Sequence, residues 1–490
     1  MSDNFNIILG PPGTGKTTKL LQLVEGHLNE GVLPNHIGYL AFTKKAANEA
    51  ANRAFMKFDY TSEDLPYFRT IHSLCFKALN LKRTDVMSRN HYSELGGMLG
   101  MEVSGAASMA EGQFYGMNRG DKLFFLENLS RVQKKSLKEV YNSQQDDDIS
   151  WFELERFQRA LVKYKQKRKI IDYTDMLIQA LELKQFPKLR ILFVDEAQDL
   201  SKIQWDIINA MKPEAETVYI AGDDDQAIYR WAGADVSSFI DLKGNNTILN
   251  QSYRVPKSIW DLANKLNLRI SSRKSKAFKP TDKTGSIKWY MDADDVDISK
   301  GSWYLLARNG YMLTQLENIC IKNGYPYLIV GKRSPLTSEV LDTIRLWTRF
   351  SKGESIPGSG LKLIYRYMVS RCPRGINPEE YYSIQDTALK PGIWHERLNK
   401  IDIKKREYYI MLLKRGEKFN QDPRIKISTI HGVKGGEADN VLLLTDIAPK
   451  TYREMHSTPD DEIRVFYVAV TRAKESLHIV QPHTNMYFDL

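Results

Sequence analysis

The chain has 490 residues, 42% of them hydrophobic and 27% charged, with a formal net charge of +10 and an isoelectric point near 9.1. Those values fit a soluble globular protein of three or four domains, and the basic balance favours a polyanionic partner, nucleic acid first. The widely spaced Cys75, Cys320 and Cys372 support neither a disulfide framework nor a cysteine-rich zinc site, no apolar run reaches the roughly 18 residues of a membrane span, and the polar start Met1-Ser2-Asp3-Asn4 is not a signal peptide, so an intracellular, cytoplasmic setting is expected.

An apolar strand, Phe5 to Leu9, runs into Gly10-Pro11-Pro12-Gly13-Thr14-Gly15-Lys16-Thr17-Thr18, and a helix follows to about Asn29, ended by Gly31. Strand, glycine loop and helix in that order form a nucleoside-triphosphate cradle. The glycines let backbone N–H groups close on the phosphates, Lys16 reaches the β- and γ-phosphates, and the Thr17 hydroxyl binds Mg²⁺. Ile37 to Phe42 reads as a second strand, and Thr43 caps the next helix. Strand, helix, strand in succession predicts a parallel sheet.

From about Cys75 to Lys169 the strand signal fades into long helical stretches, read as a helical insertion. It ends in Lys163, Lys165, Lys167, Arg168 and Lys169, which suit either a solvated helix face or a phosphate-tracking surface. The sheet resumes at Ile191-Leu192-Phe193-Val194-Asp195-Glu196. Four apolar residues running into two carboxylates predict a buried strand ending at a site, with Asp195 placed for the Mg²⁺ shell and Glu196 for the attacking water. A further strand, Thr217 to Ala221, leads into Gly222-Asp223-Asp224-Asp225-Gln226 and on to Tyr229-Arg230-Trp231.

A second α/β unit starts after about Pro256. The basic loop Arg273, Lys274, Lys276 and Lys279 reads as linker rather than site. Strands are expected at Ser286 to Tyr290, Ser302 to Ala307 and Tyr327 to Val330. Pro and Gly punctuate residues 351–420, read as a small helical insertion, after which the unit resumes at Ile425. The expected domains are therefore a first core at 1–74 and 170–256 interrupted by an insertion at 75–169, and a second core at 257–350 and 421–490 interrupted by an insertion at 351–420.

With these blocks in order, the chain resembles the UvrD/Rep/PcrA helicases of superfamily 1. The resemblance rests on the phosphate loop, Ala41 to Ala47, Thr70-Ile71-His72-Ser73-Leu74, Val194-Asp195-Glu196-Ala197-Gln198-Asp199, Gly222 to Trp231 with Gly233-Ala234, Gln251-Ser252-Tyr253-Arg254, His431-Gly432-Val433-Lys434-Gly435-Gly436-Glu437, and Tyr467 to Lys474. It implies an α/β protein of two RecA-like P-loop NTPase cores with parallel sheets, each carrying a mostly helical insertion, with ATP and Mg²⁺ between them. Carried over by residue, it makes Glu196 the general base, Gln226 the γ-phosphate sensor, and Arg254 and Arg472 arginine fingers. Tyr253 would stack on adenine and Glu437 would contact the ribose. Single-stranded DNA would lie on Phe42, Thr43, His72, Tyr229, Trp231, His431 and Lys434, with Trp231 on an exposed loop.

The implied activity is an ATP-dependent DNA helicase or translocase moving 3′ to 5′ on single strands and at single/double-strand junctions, as a monomer, with replication or repair partners. The alternatives are a DNA-stimulated ATPase that strips proteins with little unwinding, and a nucleotide-switched adaptor. Some residues depart from the family pattern. Ala232 stands for the usual Arg, which removes one link between the nucleotide and DNA sites. Gly436 stands for Leu and Ala438 for an aromatic residue. Nine residues before Gly10 leave no room for the family's adenine-reading glutamine motif, so weak purine discrimination is expected. Ser476 to Leu490 are the residues available for a duplex-splitting hairpin.

Overall fold

The computed structural model describes residues 4–42, 44–58, 60–61, 63–105, 118–144, 148–331, 338–416 and 422–490. The first sheet comprises β1 (Phe5–Leu9), β2 (Ile37–Ala41), β3 (Phe68–Thr70), β4 (Ile191–Asp195), β5 (Thr217–Gly222) and β6 (Asn245–Ile248), ordered β3-β2-β4-β5-β1-β6. Every pairing is parallel. Strands covered on both faces must be apolar throughout, which is why β4 reads Ile-Leu-Phe-Val and is buried along its whole length. The register pairs Leu9 with Gly222 and Ala41 with Asp195. The carboxyl ends of β1, β4 and β5 therefore lie side by side, the edge at which parallel α/β sheets bind ligands.

The second sheet is built likewise from β7 (Ser286–Tyr290), β8 (Trp303–Ala307), β9 (Tyr327–Ile329), β12 (Ile425–Thr429), β13 (Ala438–Leu444) and β14 (Ala473–Val480), in the order β7-β14-β13-β8-β12-β9 and again all parallel. The chain is thus an α/β protein with two parallel-sheet cores. A small antiparallel ribbon, β10 (Ile356–Pro357) with β11 (Tyr381–Tyr382), lies outside both sheets.

Between β3 and β4 the described residues are helical, with helices Arg89–Leu99, Arg119–Gln133, Leu137–Gln144 and Trp151–Arg168 among them. Their apolar faces merge with the sheet: Phe124, Phe157 and Leu161 share one cluster with Ile7, Leu192 and Val194. The basic run that ends this stretch divides. Lys165 turns inward and donates to Asp172 at 2.7 Å and Asp175 at 2.6 Å, beside Arg131, while Arg168 pairs with Glu94. Lys163, Lys167 and Lys169 remain exposed.

In the second core the helices Gly358–Arg366 and Ile403–Arg415 are joined to the sheet in the same way. Leu361, Ile364, Tyr409 and Leu412 share one apolar cluster with Leu305, Ile425 and Ile427. Ser476 to Val480 belong to β14 between β13 and β7, and Phe488 stacks on Phe466 with centroids 4.0 Å apart. These residues are committed to sheet and core and form no hairpin. Among the described residues no helix is long and apolar enough to cross a membrane.

Candidate nucleotide and nucleic-acid site

The phosphate loop turns at Gly13 (φ 71°) and Gly15 (φ 80°), both left-handed, a conformation glycine adopts without a Cβ penalty. Gly10 is constrained by space instead: a Cβ there would fall 1.9 Å from Lys16 Cγ. The Lys16 ammonium folds over its own loop, donating to Gly10 O at 2.8 Å and lying 3.6 Å from Glu196. Thr14 Oγ1 donates to Pro11 O at 2.8 Å. Ser252 Oγ donates to Pro12 O at 2.8 Å and Tyr253 N to Gly13 O at 2.8 Å, which ties the far strand's exit to the loop. Thr18, on the first turn of the helix, is approached by Arg53 Nη1 at 3.4 Å. Tyr253 itself is 78% exposed, a free ring beside the loop.

At the end of β4, Asp195 Oδ2 accepts from Thr17 Oγ1 at 3.1 Å and from Tyr39 OH at 2.8 Å. Glu196 follows with φ 53°, a left-handed backbone unusual for a side chain of its size. The two carboxyls are driven apart. Burial and the adjacent Glu196 push Asp195 up to about 6. Burial would raise Glu196 too, but Lys16 and Lys434 hold it down to about 2. Thr17 and Asp195 offer the hard oxygens that Mg²⁺ takes, and the raised Asp195 carboxyl marks where a divalent cation would relieve crowded negative charge. The residues fit such an ion.

The second core reaches into this site. Arg472, 1% exposed, donates from Nη2 to Gln226 Oε1 at 2.9 Å. Gln226 Nε2 in turn donates to Asp223 at 2.7 Å. Burial and the nearby Arg254 lower the Arg472 guanidinium to about 9, so an anion arriving between these arginines would be stabilised by both. Arg254 Nε meanwhile donates to Glu437 at 2.6 Å.

Some partners were not singled out by the sequence reading. Gln198, fully buried, bonds to Glu196 and accepts from Asp223 N at 3.0 Å, linking the acidic strand to the sensor segment. The Val-Asp-Glu-Ala-Gln-Asp block contained that signal, because its polar pattern continues past the two acids. The basic loop requires a correction. Lys276 is no solvated linker residue: its ammonium sits 3.1, 2.7 and 2.9 Å from Asp223, Asp224 and Asp225, and Arg273 clamps Asp225 with two bonds. Three consecutive buried carboxylates require such neutralisation. The ammonium fills the space a metal ion would need among those acids.

Phe42, Tyr229, His431 and Trp231 form a chain of rings. Phe42 stacks on Tyr229 with centroids 5.4 Å apart, Tyr229 meets His431 at 6.1 Å, and His431 meets Trp231 at 6.2 Å. Phe42, His72 and Tyr229 line one small solvent-open crevice, with Leu177 and Ala232 on its wall. The His72 ring packs edge-on to Tyr173 at 6.4 Å. Trp231 is half-buried and stacks on Phe125 at 6.1 Å, so the exposed loop expected there is a packed one. His431 is 1% exposed. The Lys434 ammonium bonds to Asp199 and to Gln226 O (2.6 Å) beneath the Tyr229 ring, and is engaged inside the protein rather than presented to solvent. Thr43 lies outside the described residues.

Residues 2–246 match the family described as UvrD/REP helicase N-terminal domain, half of the chain. The chain belongs to the UvrD/REP helicase family. Residues 396–483 match the UvrD-like helicase C-terminal domain. The ATP-dependent DNA helicase PcrA of Staphylococcus aureus is 22% identical over 428 residues, and that of Staphylococcus epidermidis 22% over 424, each alignment covering 79% of this chain. The chain spans just over half (56%) of the length of these curated relatives. One departure of this UvrD/REP member has a direct steric reason. A Cβ on Gly436 would lie 2.3 Å from the Tyr304 hydroxyl, so the leucine of the family pattern would require that ring to shift.

Proposed function

We propose that this chain hydrolyses ATP between its two cores to move 3′ to 5′ along single-stranded DNA, as a helicase or translocase. The observation that carries the reading is the contact of Arg472, on the second core, with Gln226 at the end of the first core's sheet. Phosphoryl transfer needs charge neutralised from several sides, and an arginine supplied across a cleft makes hydrolysis depend on core closure. Lys16 and the loop N–H groups would hold the phosphates, and Glu196, kept ionised, would accept the water's proton. Thr17 and Asp195 would hold Mg²⁺, which supplies charge neutralisation at the phosphates. Tyr253 offers its ring to the base, and Glu437, released from Arg254, offers its carboxylate to the ribose.

The ring chain Phe42–Tyr229–His431–Trp231 lies beside Gln226 and crosses from one core to the other, so closure around nucleotide would shift stacking surfaces for bases. Stacking is sequence-tolerant and worth roughly 1–3 kcal/mol per base. The test is a single strand carrying streptavidin at one end. ATP-dependent displacement from the 5′ end only supports the reading; displacement from the 3′ end overturns the direction.

A second reading, a DNA-stimulated ATPase that clears proteins and unwinds little duplex, is favoured by the commitment of Ser476–Val480 to β14. Strand displacement on a tailed duplex separates the two. Active streptavidin clearance with no unwinding selects the second reading.

A further inference from the structure

Ala232 removes the arginine by which the family pattern links the nucleotide and DNA sites, yet the residue before Trp231 is itself an arginine. Arg230 Nη1 donates to Asp461 Oδ1 at 3.0 Å. Asp461 lies in the first turn of the helix Pro459–Val470, on the second core, just upstream of Arg472. That helix and the turn that follows it grip the first core's sensor segment at further points. Arg464 Nε donates to Asp224 O at 2.9 Å, and Arg472 Nη2 donates to Gln226 at 2.9 Å. Its other acids are committed elsewhere: Asp460 accepts from Ser271 and Ser272, and Glu462 holds Arg308 with two bonds. Only Asp461 among them reaches the tryptophan loop.

We propose that Arg230 and Asp461 are positioning residues that couple the nucleotide site to the base-stacking ring, acting through Trp231 and resting on the function proposed above. Arg472 lies two residues past the end of the helix, and its Nε donates to Val468 O in the last helical turn at 2.9 Å, so a γ-phosphate that draws Arg472 draws the three-turn helix, and Asp461 with it. The ion pair passes that displacement to Arg230, and the peptide bond passes it to Trp231. Both side chains are partly solvent-exposed, and Arg464, 3.7 Å from Asp461, keeps its own bonds to Asp224 O and Ser272 O, so loss of the pair removes the connection while those anchors remain. Such a connection is a coupling between two binding equilibria and is measured as one.

The experiment measures single-stranded oligothymidylate affinity with and without a non-hydrolysable ATP analogue. It uses the full chain, Arg230→Asp, Asp461→Arg and the double exchange. Wild-type protein is expected to change its DNA affinity at least fivefold on nucleotide binding. Each single variant is expected to keep its nucleotide affinity within twofold and lose most of that linkage, and the exchanged pair to recover it. A structural role would lower affinity and stability without rescue by the exchange. Full linkage in both single variants, or single-variant loss without recovery in the exchange, overturns the proposal. A wild-type protein that binds DNA without any nucleotide dependence overturns it as well, while a wild-type protein that binds no DNA overturns the underlying function.

Discussion

Arg472 and Gln226 are joined by a 2.9 Å hydrogen bond, though they belong to different cores and are 246 residues apart in the chain. The bond places a buried cation of the second core against a side chain that also bonds Asp223 at the end of β5. Replacing Arg472 by Ala should lower single-strand-stimulated ATP turnover by about 10³-fold, in line with other arginine fingers, with ATP affinity changed far less. Lys should restore little, because it lacks the planar fork that bonds Val468 O, Gly436 O and Gln226 at once. Steady-state turnover and a nucleotide-binding titration check this; an active Arg472→Lys enzyme would count against it.

Lys16 and Glu196 should fail by different routes. Lys16→Ala removes phosphate neutralisation and weakens ATP binding together with turnover. Glu196→Gln keeps ATP bound and drops turnover by about 10²–10⁴-fold, since the amide fills the space without accepting a proton. Trapping of bound, uncleaved nucleotide by Glu196→Gln is the measurement, and near-wild-type hydrolysis would remove Glu196 from the base role.

Lys276 carries a stability prediction. Its removal leaves Arg273 as the one remaining ion-pair partner of Asp223, Asp224 and Asp225 among the described residues. Breaking a buried ion cluster from one side costs about 3–5 kcal/mol. Lys276→Met should therefore lower the urea midpoint sharply, and a midpoint shift equivalent to under 1 kcal/mol would contradict this assignment.

His478 gives the protein a pH dependence. Burial, with Lys288 adding to it, lowers its ring to about 4. The unfolded chain takes up that proton near pH 6.5, whereas the folded one refuses it until about pH 4. Its contribution is therefore complete above pH 6.5 and is lost as pH falls toward 4. His478→Gln should lose less stability than wild type over that interval, read as the difference in Tm across a pH series. Parallel curves would show that the ring does not titrate as stated.

Binding to single-stranded DNA should weaken with salt. Lys and Arg contacts to phosphates release counterions, so log affinity should fall linearly with log salt concentration, with a slope of about −0.7 per phosphate contact. A titration in potassium chloride measures the slope, and a salt-independent affinity would leave stacking alone as the source of binding.

The sequence alone determined the features that are contiguous in the chain. The phosphate loop, the apolar strand ending at Asp195 and Glu196, and the alternation of strands with helices could be read directly, because glycine turns, buried parallel strands and helix starts are local. Even the limits of β1 and β7 coincide with the strands expected at Phe5 to Leu9 and Ser286 to Tyr290. What a charge or ring faces is not local. The basic loop at Arg273 to Lys279 reads as linker because its counter-charges, Asp223 to Asp225, lie about 50 residues away and arrive only through packing. Trp231 reads as exposed because Phe125, its stacking partner, comes from the helical stretch between β3 and β4. The same holds for Lys434, whose partners Asp199 and Gln226 lie on the other core, and for Arg230 and Asp461, 231 residues apart. Sequence specifies the chemical kind of each side chain; burial and partner, which fix its protonation and freedom to act, follow from how the two sheets and their helices close on one another.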